Sequence, residues 1–279
     1  MVDLTIQWNA TANIYVKWKS FVVHFDPWFR RNPFANPKLK GSLEDIDENA
    51  IIFLSHGHFD HLQDIPDILV KKENVIVHCS QVAKKTIEGQ LYKNLVLKKE
   101  AISTIMERVI AINSGDTYTF KDKKLNVDVI KSEHIKFDAK SVLRVLFSLD
   151  AWKQVGNLIH VAREYPKGDV FGYDVHFGDE GRLVMFGSLC KKYPEILKQH
   201  ANPDVLLVPC AGRFNSDAIA CEIARIIKPK LVIPIHHDDF YPPLSYRCPI
   251  DKLKEIAQID EIPTKFLELQ PETEIKLSL

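Results

Sequence analysis

Residues 55–61 read Ser-His-Gly-His-Phe-Asp-His and directly follow the apolar run Ala50-Ile51-Ile52-Phe53-Leu54. His56, His58, Asp60 and His61 therefore crowd together beside one buried-looking strand. Three imidazoles and a carboxylate at this density have few uses besides holding a metal ion. Neutral imidazole and carboxylate suit zinc, and also manganese or ferrous iron, whereas magnesium and calcium want mostly oxygen. In an extended chain residues i and i+2 project to one side, so His56 and His58 can grip the same ion. Asp60 continues that alternation. His61 joins only if the chain bends, and Gln63-Asp64-Ile65-Pro66-Asp67 reads as the helix start that would bend it. The bend would let Asp60 and His61 serve a second ion. Helix-borne metalloprotease histidines sit at i and i+4 instead. The bland alternative, histidines satisfied by ordinary hydrogen bonds, requires four ligand-type residues to have gathered by accident.

The elements that must position these residues are legible around them. Residues 4–25 alternate apolar and polar with breaks at 9–13 and 17–20, which predicts an antiparallel meander ending at Asp26-Pro27-Trp28. After the heptad, helices are expected near 64–72 and 81–88, with strands near 75–78, 95–98, 108–112, 117–120 and 125–130. The spacing of Val142, Leu143, Leu146, Leu149, Trp152, Val155 and Ile159 predicts a helical insertion over about 139–165 that caps the site. Gly178-Asp179-Glu180-Gly181 marks a hairpin between strands 170–177 and 182–186. Helix (194–200), strand (205–208), helix (216–227) and strand (231–235) complete the pattern. Meanders with helices outside them imply an α/β protein of the α+β type. The architecture expected is a four-layer αβ/βα sandwich of two packed mixed sheets, as one domain spanning 1–279.

Composition excludes several classes. Lys and Arg balance Asp and Glu at 37 each, so the overall charge gives no basic footprint for nucleic acid, although it leaves room for a local patch. Five widely spaced cysteines without a CxxC pair argue for reduced thiols. Residues 1–6 show no basic region followed by an apolar stretch, and no window approaches the roughly 18 apolar residues of a membrane span. The expectation is a cytoplasmic protein with a small-molecule substrate, free to form a homo-oligomer.

The heptad, with Asp26-Pro27 upstream and Val232-Ile233-Pro234-Ile235-His236 downstream, resembles the metallo-β-lactamase fold of metal-dependent hydrolases. Leu207-Val208-Pro209-Cys210-Ala211-Gly212, running on through Lys228-Pro229-Lys230, is similar to the L-ascorbate 6-phosphate lactonase-like branch. That branch is related to N-acylethanolamine phospholipase D. The resemblance implies one ion held by His56, His58 and His134, and a second held by Asp60, His61 and His236. The family's order of proline, one residue, histidine favours His236 over the adjacent His237. Asp26 would orient a ligand imidazole. Arg213 and Asn215 fall where the family binds substrate. Arg213 could grip a phosphate or carboxylate, or pair instead with Asp217 at i+4. Tyr241, Tyr246 and Arg247 could rim the pocket, and Trp28 could wall it. His24, His78, His160, His176 and His200 have no ligand partners nearby in sequence and read as core or surface residues.

One departure stands out. The family carries a bridging aspartate after the hairpin, in a Gly-Asp pair, where this chain has Gly187-Ser188. The third subclass of metallo-β-lactamases, with serine near this position, still holds its second zinc. Ser188 is at best a weak ligand or a supporting hydrogen-bonding group, and Cys190 is a candidate soft ligand or a buried inert thiol. One ion, two ions without the bridging carboxylate, or a non-catalytic binding site are all compatible with the change. Divalent ions at such sites lower the pKa of water from 15.7 to about 7 and polarise carbonyl or phosphoryl oxygens. The expected activity is hydrolysis of an ester, lactone or phosphoester of a small anionic metabolite, with Asp60 relaying the proton. A phosphodiester in a lipid or nucleotide is the alternative. Restoring the carboxylate with Ser188→Asp should tighten binding of a second ion. Unchanged stoichiometry and affinity in a zinc titration would defeat this account.

Overall fold

Strand ends, more than strand interiors, organise this protein. The computed structural model describes residues 3–94, 97–120, 125–136, 138, 140, 149–188, 191–259 and 264–278. Six strands form most of the first sheet: β1 (Asp3–Trp8), β2 (Ile14–Trp18), β3 (Phe21–Phe25), β4 (Ile51–Phe53), β5 (Ile76–Cys79) and β6 (Val109–Ala111). The second contains β7 (Thr117–Phe120), β8 (Leu125–Ser132), β9 (Val170–Phe177), β10 (Arg182–Phe186), β11 (Val205–Pro209), β12 (Leu231–Ile235) and β13 (Lys265–Phe266). The last strand, β14 (Ile275–Ser278), returns to pair antiparallel with β1, placing Leu4 opposite Leu277. The spatial orders are β14-β1-β2-β3-β4-β5-β6 and β13-β12-β11-β10-β9-β8-β7.

The central strands are apolar on both faces because both faces are covered. Phe25, Phe53, Tyr173, Met185, Leu207 and Ile233 meet between the sheets. Ile52 and Val77, on the opposite face of the first sheet, pack with Leu62, Ile65 and Ile87 from helices. Val184, Leu206 and Val232 do the same with Ile219 and Ile223. The pleat's alternation thus feeds three apolar layers from single runs of sequence. Burying one side chain the size of Phe53 contributes about 1.5–3 kcal/mol.

The helices are α1 (Phe59–Leu62), α2 (Ile65–Lys71), α3 (Gln81–Asn94), α4 (Lys99–Met106), α5 (Leu149–Glu164), α6 (Pro194–Gln199), α7 (Ser216–Ile227) and α8 (Asp251–Ile259). The expected strand over 95–98 is not supported. Leu95 and Val96 lie outside the described residues, Leu97 and Lys98 are not in a strand, and Lys99–Met106 is helical. Apolar Ile102 and Met106, four apart, bury one face of α4, a helical spacing that the short apolar stretch before it obscured. Of the expected capping insertion, α5 is described, whereas residues 141–148 lie outside the described residues. Among the described residues no helix is long and apolar enough to cross a membrane. Cys79, Cys210, Cys221 and Cys248 are buried and in no disulfide among the described residues, and Cys190 lies outside them.

Two histidines belong to the framework. His78 stacks on Phe53 with ring centroids 4.7 Å apart, and His24 lies against Tyr15 at 5.3 Å. Burial lowers the pKa of each imidazole to about 4, with Asp47 opposing weakly at His24. Their folded pKa values lie below the unfolded value of about 6.5, so the unfolded chain binds more protons between the two. Stability is then fully present above pH 6.5 and falls as the pH drops toward 4. Replacing His24 with Leu should flatten that decline in thermal melts of the metal-free protein. A slope identical to that of the parent between pH 6.5 and 4 would contradict it.

Candidate metal centre

Every strand that feeds the site delivers its residue at the carboxyl end. Asp26 follows β3, the heptad follows β4, His134 follows β8, Ser188 follows β10, Arg213 follows β11 and His236 follows β12. Strands β3 and β4 run parallel, as do β10, β11 and β12, so these ends collect along one edge of both sheets. Crevices outside the carboxyl ends of parallel strands are the usual ligand sites of such sheets.

The heptad changes conformation halfway through. His58 is extended, with ψ 155, and acts as N-cap of the short helix α1. His56 and His58 therefore precede the helix, while Asp60 and His61 sit on its single turn. The simple alternation expected for Asp60 does not extend that far, because the bend comes earlier, at Phe59. Gly57 has no alternative. A Cβ there would lie 2.3 Å from the carbonyl oxygen of Pro166, and Gly57 N–H donates to Lys167 O at 2.8 Å. The segment following α5 thus crosses directly over the heptad.

Two triads result, each offering three ligand-type atoms that lie within 4.8 Å of one another: His56, His58 and His134, and Asp60, His61 and His236. The triads adjoin, with the His56 and His61 ring centroids 4.0 Å apart. Nε2 of His56 is 3.1 Å from Nδ1 of His58. Asp60 Oδ2 is 3.4 Å from His236 Nε2 and 3.6 Å from His61 Nε2. Ligands held at the zinc–nitrogen distance of about 2.0–2.1 Å in a tetrahedron are separated by roughly 3.3 Å, so these spacings fit a small divalent ion. The hydrogen bonds behind the rings fit as well. Asp26 Oδ2 accepts from His61 Nδ1 at 2.8 Å and from Ser55 Oγ at 2.6 Å, and Oδ1 accepts from Ser55 N–H at 2.7 Å. Ser55 Oγ also meets His56 Nδ1 at 2.9 Å, and His134 Nδ1 donates to Ile135 O at 2.7 Å. Each bond occupies Nδ1 and leaves Nε2 for an ion, the supporting arrangement that metal-bound imidazoles use.

Charge is arranged to the same end. Burial drives the pKa of His56 well down, and the surrounding imidazoles add to it, so this ring is neutral and able to ligate. Burial and then His58 lower His134 to about 4. Burial alone would raise the pKa of Asp60, but His61 and His236 overcome it and hold the carboxyl well below its usual range. Burial likewise works to lower His61, and Asp26 and Asp60 outweigh it to raise that imidazole.

The remaining candidates divide. His237 turns away from the triads, stacking on Trp8 at 4.7 Å. Ser188 is buried, and its hydroxyl accepts from Ile135 N–H at 3.0 Å, which ties β10 to the loop carrying His134. The Arg213–Asp217 pair does not form. Asp217 is buried and its carboxylate is engaged by backbone N–H groups of Ala218 and Lys252, which turns it inward. Arg213 instead lines a cleft of about 240 Å³ with His134, Lys136, Lys191 and Lys192. Asn215 is exposed at the start of α7, Tyr246 stacks on Phe214 at 4.6 Å, and Arg247 pairs with Glu268 at 3.3 Å. Trp28 packs edge-on against Phe59 and Phe240, and Phe240 in turn lies 5.1 Å from His236. Sequence spacing gave no sign of Phe240, of Ser55 as a relay, or of the lysines. His176 and His200 do have partners, Asp128 and Asp174, but Arg182 also grips Asp174, making this an ion-pair network on the second sheet.

A family model described as a beta-lactamase superfamily domain matches residues 22–237. The chain belongs to the metallo-β-lactamase superfamily. Its relatives include a protein named UPF0173 metal-dependent hydrolase from Aeropyrum pernix, 26% identical over 97% of this chain and 96% of that one. Another of the same name, from Methanosarcina mazei, is 26% identical over 99% of this chain and 100% of its own. Among solved structures, a metallo hydrolase from Ignicoccus hospitalis superimposes with TM-score 0.67 at 16% identity, covering 99% of each chain. That likeness establishes the fold, two packed mixed sheets flanked by helices.

Because Asp26 orients His61 directly and His56 through Ser55, Asp26→Asn should weaken zinc binding by about 10–100-fold. Competition with a chromophoric chelator measures this. An affinity within twofold of the parent would remove Asp26 from the role.

Proposed function

We propose that the two triads hold divalent ions, zinc first with manganese or ferrous iron as alternatives, and that the chain hydrolyses an ester, lactone or phosphoester bond. The adjoining triads, with ligand-type atoms already at coordination spacing, carry this reading. An ion bound there supplies a water of lowered pKa and polarises the scissile carbonyl or phosphoryl oxygen. Asp60 stays ionised at neutral pH, so its carboxylate can orient the attacking water, take its proton and pass that proton to the leaving group. Trp28, Phe59 and Phe240 form an apolar wall that limits bulk water beside His236. Helix α5 acts as a cap in this reading, supported by Gln154 Oε1 accepting from Asn32 Nδ2 at 3.4 Å.

The cleft beside His134 supports a small anionic substrate. Lys191 and Lys192 are paired with Glu222 and Glu133 at 2.6 Å each, but among the described residues no carboxylate pairs with Arg213. Arg213 lines the cleft and, among those residues, its guanidinium is uncompensated, so it is the donor group for a substrate carboxylate or phosphate. Asn215 lies two residues further along the Arg213 loop and Tyr246 stacks on Phe214 in that loop, while Arg247 is already engaged by Glu268. The cationic lining also keeps a phosphodiester of a lipid or nucleotide as the second reading.

Protein purified without chelator should carry one or two divalent ions per chain and hydrolyse bis-p-nitrophenyl phosphate or a member of a lactone panel. Chelation or Asp60→Asn should abolish turnover. Arg213→Met should raise KM for anionic substrates by roughly 10–100-fold, the value of a charge-assisted contact. A metal-free, inactive preparation that zinc does not activate would point to a binding protein and against this function.

A further inference from the structure

His236 does not rest in an ordinary backbone conformation. Its φ is +54, in the left-handed region that residues with a Cβ rarely adopt. Such a conformation persists only where the surroundings over-determine it. The His236 N–H donates to Thr11 O at 2.8 Å, and that carbonyl also accepts from Trp8 Nε1 at 2.9 Å. Thr11 is itself left-handed, with φ +50, in the turn between β1 and β2. Its N–H donates to Asp238 Oδ1 at 2.8 Å, and Asp238 Oδ2 takes Nη2 of Arg31 at 2.6 Å. The side chains of Arg31 and Asp238 are only 6% and 2% exposed. Nε and Nη1 of Arg31 have no hydrogen-bond partner, and among the described residues Asp238 is the carboxylate that compensates this buried cation. The β1–β2 turn and the loop after β12 are thus closed into one ring of bonds, to which the loop after β3 is tied through Arg31.

We infer that Arg31, Asp238 and the Thr11 backbone form a positioning clamp that holds His236 left-handed and so aims its Nε2 at Asp60. The inference rests on the reading of Asp60, His61 and His236 as an ion site. The clamp touches no residue of the His56–His58–His134 triad, so its effect is confined to the other triad. Thr11 acts through backbone groups alone, in a conformation that glycine adopts freely.

The test uses Asp238→Asn, which keeps the shape and an acceptor but removes the charge, with amide hydrogen exchange and zinc titration of the metal-free protein as readouts. His236 N–H should exchange at least about tenfold faster, with the His61 amide unchanged. The ion that depends on His236, identified by its loss in His236→Ala, should bind about 10–100-fold more weakly, with the other ion unaffected. Arg31→Lys should retain most of the affinity, and Thr11→Gly should retain it fully. Unchanged exchange at His236 in Asp238→Asn, or equal weakening of both ions, overturns the clamp. If Asp238→Asn fails to fold, Arg31→Met takes its place with the same expectations. If His236→Ala leaves zinc binding intact, the ion-site reading fails, and exchange at His236 still decides the clamp.

Discussion

The carboxylate of Asp26 is the interaction on which the rest of the site depends. It is fully buried, sits at φ +45, and accepts from the Ser55 backbone, the Ser55 hydroxyl and the His61 ring. Through those contacts it fixes which nitrogen of His61 faces Asp60, and through the serine it fixes the orientation of His56. A buried carboxylate without partners would be costly, whereas with three donors it becomes a rigid reference point. The close packing around it leaves no room for variation: a Cβ on Gly187 would lie 1.8 Å from Ser55 Oγ and 2.9 Å from Asp26 Oδ2.

That reference point exists because β3 and β4 are parallel neighbours. Asp26 N–H donates to Phe53 O at 3.2 Å, so the ends of the two strands are in register and the heptad begins where Asp26 stands. The second sheet contributes through the same geometry. Its strands β8, β10 and β12 end on the same side and place His134, Ser188 and His236 opposite the heptad. Left-handed backbone at Asp26 and His236 turns each chain sharply out of its strand, which brings side chains rather than main chain into the crevice. Ser188 has a structural task of its own, since its hydroxyl anchors the loop that carries His134.

Much of the layout was legible in the chain. The hairpin around Gly178–Gly181, the strands expected at 205–208 and 231–235, and helix 216–227 follow from turn chemistry and period, and the structure places them there, the first strand running one residue further to Pro209. Strand β14 was not legible, because its alternation is short and its partner β1 lies at the opposite end of the sequence. Helix α4 was lost for a related reason, since two buried residues give little periodicity. The pairing of Arg213 with Asp217 was one of two readings of that arginine, and it failed because burial turns Asp217 inward toward the backbone of Lys252.

The sequence by itself determined that four ligand-type residues would stand at the end of a buried strand, since their spacing and the apolar run before them are local properties. It determined the layered architecture too, because hydrophobic period is local. Spacing alone left the distant partners open; the family resemblance named His134, His236 and Asp26, and only the tertiary structure decided how they meet the heptad, that Ser55 stands behind the rings, and that Arg31 and Asp238 brace His236. It also gathered Lys136, Lys191, Lys192 and Arg213 into one cleft. The physical reason is that hydrogen bonds and ion pairs act over a few ångströms in space. The parallel register of strands far apart in the chain sets those distances.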